Sequence, residues 1–202
     1  MSQGRIRALV PITHGSEDIE VVSLCDVLSR GSVEVIVASL DGTNPVHLMK
    51  GTKIQADCGL CDLEHESFEA ICIPGGVPGA MHLGQSDLLR AMIQAHHKRR
   101  AVVAAICLAP ALVLLPSGVL DQSEKVAGNP LQIKTPERTY APDHFTAMLG
   151  DAFDPSTSVC VDPDLRLVTS QLPGTTIDFA LEIVAMLRDP EAAEEIRRYI
   201  QR

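Results

Sequence analysis

The chain has 202 residues, 46% of them hydrophobic, which is enough for one sizeable core and a natural length for a single α/β domain spanning 1–202. A formal net charge of −9 argues against nucleic acid or an anionic membrane as partner, and no run approaches the ~18 apolar residues of a membrane span. Residues 1–7 lack the apolar core of a signal peptide, so a cytosolic protein is expected, with its six scattered cysteines reduced rather than paired.

The first apolar run, 6–12, is broken by Thr13-His14-Gly15-Ser16 before a helical pattern that starts near Glu17. Glu17 and Asp18 suit a first turn, where carboxylates meet the positive end of the helix dipole. Glu20 differs from them because it shares a face with Leu24, Val27 and Leu28, the stripe expected to pack on a sheet. A carboxyl there is either desolvated, with its pKa raised, or at the stripe's edge and reaching water.

Residues 33–40 read as a second strand, and Asp41-Gly42-Thr43-Asn44-Pro45 as a turn. Residues 46–56 suggest a short hairpin around Lys50-Gly51. Cys58-Gly59-Leu60-Cys61 presents a CxxC, but no second ligand pair follows to complete a zinc site and no thioredoxin-like setting surrounds it, so coincidental loop cysteines are the preferred reading. His14, His47, His65 and His82 lack ligand spacing, and no metal or other cofactor is assigned.

Residues 70–73 form a buried strand ending in Pro74-Gly75-Gly76-Val77-Pro78-Gly79. Glycines at that end let backbone N–H groups approach a small anion, although a plain tight turn explains them equally well. Residues 86–97 read as an amphipathic helix with Leu88, Leu89, Met92 and Ile93 inward. The following basic run, His96 to Arg100, reads as a solvated helix end.

Residues 101–105 are five small or β-branched apolar residues in a row, fitting a central parallel strand that leads through Ile106 to Cys107 and a new helical segment, 111–115. A cysteine on such a strand-to-helix elbow stands at the carboxyl end of the sheet, where unpaired helical N–H groups and the dipole lower a thiol pKa. A lone cysteine is also an ordinary small core residue. Residues 122–151 give no clear periodicity, 159–161 and 165–169 suggest a strand pair, and a capping-box-like Thr175-x-x-Asp178 opens a helix. A last helix covers 191–200. Alternating strands and helices imply a mostly parallel sheet covered on both faces, whose ligands bind beyond the strands' carboxyl ends. The turn before Glu20, Gly75-Gly76 and Cys107 all lie at such ends, and their convergence favours a functional Cys107.

GSEDIE (15–20), IPGGVPGA (73–80), AAICLAP (104–110) and TSQLPGTTIDFAL (169–181) together resemble the ThiJ/PfpI family, in particular its Parkinson-disease-protein branch, over nearly the whole chain. The resemblance implies a flavodoxin-like α/β sandwich, commonly a homodimer. It makes Glu20 the buried acid, Cys107 the reactive cysteine, and Gly75 and Gly76 backbone donors facing the sulfur. It also implies either a glutathione-independent glyoxalase or protein deglycase, acting on methylglyoxal-type dicarbonyls or glycated protein, or a redox-sensing, chaperone-like protective protein. A thiazole-phosphate role follows only from the family's historical naming, and no phosphate loop supports it. Chemically, a thiolate at Cys107 could attack an aldehyde while Gly75, Gly76 and the N–H of Leu108 hold the oxyanion. Arg30 and Lys50 align loosely with basic residues near the family's active site and dimer contact. The departures narrow the reading. Leu108 stands where the protease-like branch has histidine, and His144 lacks the following His-x-Glu pattern of amidotransferases. Asn129 replaces a histidine that precedes proline; an amide cannot act as a base, which weighs against fast turnover while leaving Asn129 able to position a substrate oxygen.

Overall fold

A computed structural model describes residues 5–42 and 45–200. Thr43 and Asn44 of the expected turn, and the first four residues, lie outside this range. The strands are β1 (Arg7–Ile12), β2 (Glu34–Ser39), β3 (Val46–His47), β4 (Lys53–Ile54), β5 (Cys58–Gly59), β6 (Ala70–Ile73), β7 (Val102–Ile106), β8 (Ile133–Lys134), β9 (Thr139–Tyr140), β10 (Val159–Asp162) and β11 (Leu167–Ser170). Seven of them form one sheet in the order β10-β11-β7-β6-β1-β2-β5. All its pairings are parallel except β10 with β11. The central strands β6 and β7 are buried at every residue, as their runs of Ala, Val, Ile and Cys require of strands covered on both faces.

The helices are α1 (Asp18–Arg30), α2 (Gly79–Gln85), α3 (Asp87–Lys98), α4 (Leu115–Ser117), α5 (Thr176–Leu187) and α6 (Pro190–Ile200). Helix α3 packs on β6 and β7, whereas α5 packs on β7 and β11 and against α1 and α6. With β7 wholly buried between α3 and α5, the layers are helix, sheet, helix. In α1 the apolar stripe holds as read: Glu20, Val21, Leu24, Val27 and Leu28 are all buried. Each such leucine contributes about 1.5–3 kcal/mol through burial. Glu17 is the N-cap, its carboxylate accepting the Glu20 N–H at 2.8 Å.

The hairpin β3–β4 turns at Lys50-Gly51, and Asp18 holds it by accepting the N–H groups of Lys50 (2.6 Å) and Thr52 (3.0 Å). Burial opposes the Asp18 charge, but the bonds from Thr52 and Lys50 outweigh it and lower the pKa.

Four expectations need correction. The segment after the elbow is a π-turn, Pro110–Leu114, before the single turn α4. Thr175 does not cap α5; its hydroxyl bonds to Leu172 and Ser170, and Asp178 pairs with Arg197. His96 is no solvated helix end. It is 2% exposed, accepts the Phe68 N–H at Nε2 (3.1 Å) and bonds the Met92 carbonyl through Nδ1 (2.7 Å), which fixes the Nδ1–H tautomer. The CxxC does sit on a strand-to-helix step, with Cys58 in β5 and Cys61 in the 3₁₀ turn Leu60–Leu63, but both thiols are free. The stretch that gave no periodicity holds the hairpin β8–β9 and a 3₁₀ segment, Thr146–Ala152.

Candidate active site

Strand β7 delivers Cys107 to the carboxyl edge of the sheet with φ at 66°, a left-handed conformation that a non-glycine residue adopts only when its surroundings enforce it. Two main-chain bonds do so. The Cys107 N–H donates to the Ser170 carbonyl beyond β11 (2.9 Å), and the Cys107 carbonyl accepts the Asn129 N–H (2.9 Å). The side chain is 5% exposed. Its sulfur accepts the Asn129 Nδ2–H at 3.1 Å and a bond from the Gly76 N–H. Asn129 cannot turn the other way, because its Oδ1 accepts the Leu131 N–H at 2.8 Å and so aims the NH₂ at the sulfur.

Glu20 enters from the opposite side, from the first turn of α1, and is wholly buried. Its Oε2 accepts the Gly75 N–H at 2.6 Å, while Oε1 has no hydrogen-bond partner among the described residues. The carboxyl and the Cys107 thiol interact directly. Gly75 fits between them because it has no side chain: a Cβ there would lie 2.7 Å from Cys107 Cβ and 3.0 Å from Glu20 Oε2. Gly76, at φ 98°, allows the chain to turn past Gly15 and Glu17, where a Cβ would meet the Gly15 carbonyl at 2.4 Å.

Burial, reinforced by the neighbouring Glu17 charge and only partly offset by the Gly75 bond, pushes the Glu20 carboxyl up to about 7. The thiol also moves up, from burial first and the Glu20 charge second; the Asn129 and Gly76 donors pull the other way without prevailing. This corrects the expectation of a thiol acidified by a helix dipole. The π-turn that follows opens on Pro110, which has no N–H to offer. Gly75 is corrected as well: its N–H is committed to Glu20 rather than to the sulfur. Leu108 is buried beside Cys107, and its N–H has no main-chain acceptor among the described residues.

Neither Arg30 nor Lys50 joins this group. Arg30, at the far end of α1, pairs with Asp26 at 2.7 Å, and Lys50 meets the site's helix only through its backbone N–H on Asp18. No cluster of three or more His, Cys, Asp or Glu side chains among the described residues is disposed to hold a metal. Sequence reasoning missed Ser170 and Glu17 as parts of the site. Ser170 acts through its carbonyl, which leaves no trace in residue type, and Glu17 acts through the charge it places beside a buried carboxyl.

This constellation lies within a match to the DJ-1/PfpI family model over residues 6–186. The chain belongs to the DJ-1/PfpI family. Among curated relatives, Protein DJ-1 homolog A of Arabidopsis thaliana is 35% identical over 93% of this chain but only 44% of its own length, so the chain spans less than half of that protein. The Caenorhabditis elegans protein named glutathione-independent glyoxalase DJR-1.2 is 32% identical over 90% of this chain and 88% of its own. Among solved structures, the oxidized form of Toxoplasma gondii DJ-1 superimposes with a TM-score of 0.84 at 34% identity, covering 97% of this chain and 98% of that one. The sheet order and the helices on both faces are therefore those of the flavodoxin-like DJ-1/PfpI fold.

Proposed function

We propose that this DJ-1/PfpI protein is a cysteine-dependent, glutathione-independent glyoxalase or protein deglycase, acting in the cytoplasm on reactive dicarbonyls of the methylglyoxal type. The observation that carries the proposal is the buried pair: a carboxyl raised to about 7, with one unbonded oxygen, in direct interaction with an elbow thiol. A group with that pKa accepts and returns protons near neutral pH. The glyoxalase name of the nematode relative supports the same chemistry.

Ionised Glu20 takes the Cys107 proton through its open Oε1 as the sulfur attacks the aldehyde carbon. The carbonyl π electrons move to oxygen, where the N–H groups of Gly76 and Leu108 and the Asn129 amide are the nearby donors. Glu20 returns the thiol proton to the alkoxide, which gives the hemithioacetal and makes Glu20 a carboxylate again. It then removes the hydrogen from the former aldehyde carbon as a proton, leaving an enediolate, and delivers it to the neighbouring ketone carbon while the hydroxyl proton passes to the former ketone oxygen. A lactoyl thioester results. Water cleaves it to lactate and free thiol, so the balance is methylglyoxal plus water to lactate, with no redox partner required. Water access and thioester hydrolysis limit the rate where no histidine base is present.

A second reading has its own support. The Asn129 and Gly76 donors converge on the sulfur in the resting protein, so they are placed to hold the oxygens of a Cys107 sulfinate, with protonated Glu20 donating to one of them. On this reading the protein senses peroxide and protects through partners. Exposure to mild peroxide followed by intact-mass and peptide spectrometry tests it: two oxygens added selectively at Cys107 support sensing, and oxidation spread over Cys61 and the methionines opposes it.

The family's homodimeric habit also has a surface to use here. Ile19 and Val22, on the outer face of α1, are 54% and 50% exposed.

A further inference from the structure

At the amino-terminal edge of the sheet, opposite Cys107, a cavity of about 270 Å³ opens between the starts of β6, β7 and β11. Arg99 and Arg100 reach it from the end of α3, and Arg166 from the turn before β11. In a chain of net charge −9 this is an unusual gathering, and none of the three has an ion-pair partner among the described residues.

The usual reason for arginines at a helix end is to satisfy its last carbonyls. Here the main chain already does that work: the N–H groups of Arg99, Arg100 and Ala101 bond the carbonyls of Ala95, His96 and His97. The guanidiniums are left for other partners. Arg99 donates to the Ser67 hydroxyl. Arg166 has one long bond to the Met186 carbonyl (3.3 Å), and its Nε–H is buried without an acceptor. A guanidinium so weakly held is not explained by its present contacts. Arg100 and Arg166 also keep φ at 64° and 52°, left-handed conformations that an unconstrained arginine avoids. Glu69 is the acid that lines the cavity, and its carboxylate accepts the Arg7 N–H at 2.7 Å. In the larger arginine-lined groove beside α6, two of the three guanidiniums are paired, Arg30 with Asp26 and Arg198 with Glu194, and the third, Arg188, donates to the Gly31 carbonyl.

We propose that this cavity is a binding site for the phosphate group of a small phosphorylated metabolite, held by Arg99, Arg100 and Arg166. Three planar forks match the tetrahedral oxygens of a dianion, and the positive excess that survives Glu69 suits a dianionic group better than a lone carboxylate. The cavity volume admits a molecule of a few carbons beyond the phosphate. This site is separate from the Cys107 chemistry and does not depend on it.

Calorimetric titration of the full chain with inorganic phosphate, and separately with glycerol 3-phosphate, tests the assignment. Saturable binding of at least one probe is expected, weakening as salt is raised, with Kd at least tenfold higher in Arg100→Gln and in Arg166→Gln, about 1.4 kcal/mol. Arg99→Gln gives an independent arm should Arg166→Gln misfold. Tighter binding of glycerol 3-phosphate than of phosphate identifies an organic ester as the preferred source, and equal binding identifies the phosphate group alone as what is recognised. Absence of saturable binding of both probes up to ~10 mM, or binding unchanged in all correctly folded variants, overturns the proposal.

Discussion

Glu20 and Cys107 share one proton in a site that disfavours charge on either, so the pair, rather than either residue, sets the pH behaviour. The reactive form carries a single proton on the pair. It is lost when Glu20 becomes protonated below about 7. The acid limb of kcat/KM for methylglyoxal is therefore expected to rise with an apparent pKa near 7, and Glu20→Gln to remove it together with a factor of about 10²–10⁴ in rate. The same group leaves a mark on stability. Its folded pKa lies above the ordinary glutamate value of 4.5, so its contribution is fully present below that value and is lost as pH rises through about 7. A shift of this size corresponds to about 3 kcal/mol, and Glu20→Gln is expected to be more stable than wild type at pH 8 but not at pH 4.5, as read by urea midpoints. Asn129→Ala removes the directed donor at the sulfur and should slow peroxide oxidation of Cys107 several-fold while leaving the fold intact, because the Asn129 N–H on the Cys107 carbonyl is retained.

At the scale of elements, the site depends on how closely β6 and β7 deliver their ends. Gly75→Ala places a methyl at 2.7 Å from Cys107 Cβ, and overpacking of this kind costs about 1–3 kcal/mol; a fall of ~2–12 °C in melting temperature and loss of Cys107 reactivity are expected. The α3 end carries a second pH signal of opposite sign. Burial holds the His96 pKa below 6.5, so its neutral form contributes stability above that value which is lost as pH falls through the folded pKa. A His96→Gln variant should be weaker at pH 7 but show a shallower loss between pH 7 and 5. These elements also show what could be read in advance. The α1 stripe and the wholly apolar β7 were legible because periods of 3.6 and near-continuous burial are written in residue order. The elbow followed from a strand that ran straight into a helical segment. The burial of His96 was not legible, since two histidines before Lys-Arg-Arg look like a solvated run until Phe68 supplies a donor from 28 residues away. The upward shift of Cys107 was hidden for a related reason: it depends on how completely Glu20 and the sheet exclude water, and on a π-turn where a regular helix was expected.

For the whole molecule, the fold places two unlike poles at the two ends of one sheet, a desolvated acid-thiol pair at the carboxyl edge and an arginine-lined cavity at the amino edge. The exposed Ile19 and Val22 on α1 mark the proposed surface for a second copy. Ile19→Asp with Val22→Asp should shift the light-scattering mass from dimer to monomer without loss of secondary structure, and an unchanged mass would exclude this face. The central claim is that Cys107 and Glu20 together turn over a dicarbonyl without glutathione. Proton NMR of methylglyoxal with the purified protein, beside Cys107→Ala and Glu20→Gln, tests it most directly. Lactate from wild type, none from Cys107→Ala and at most a trace from Glu20→Gln is the predicted result; lactate formed equally by wild type and Cys107→Ala, or by none of the three, would contradict it.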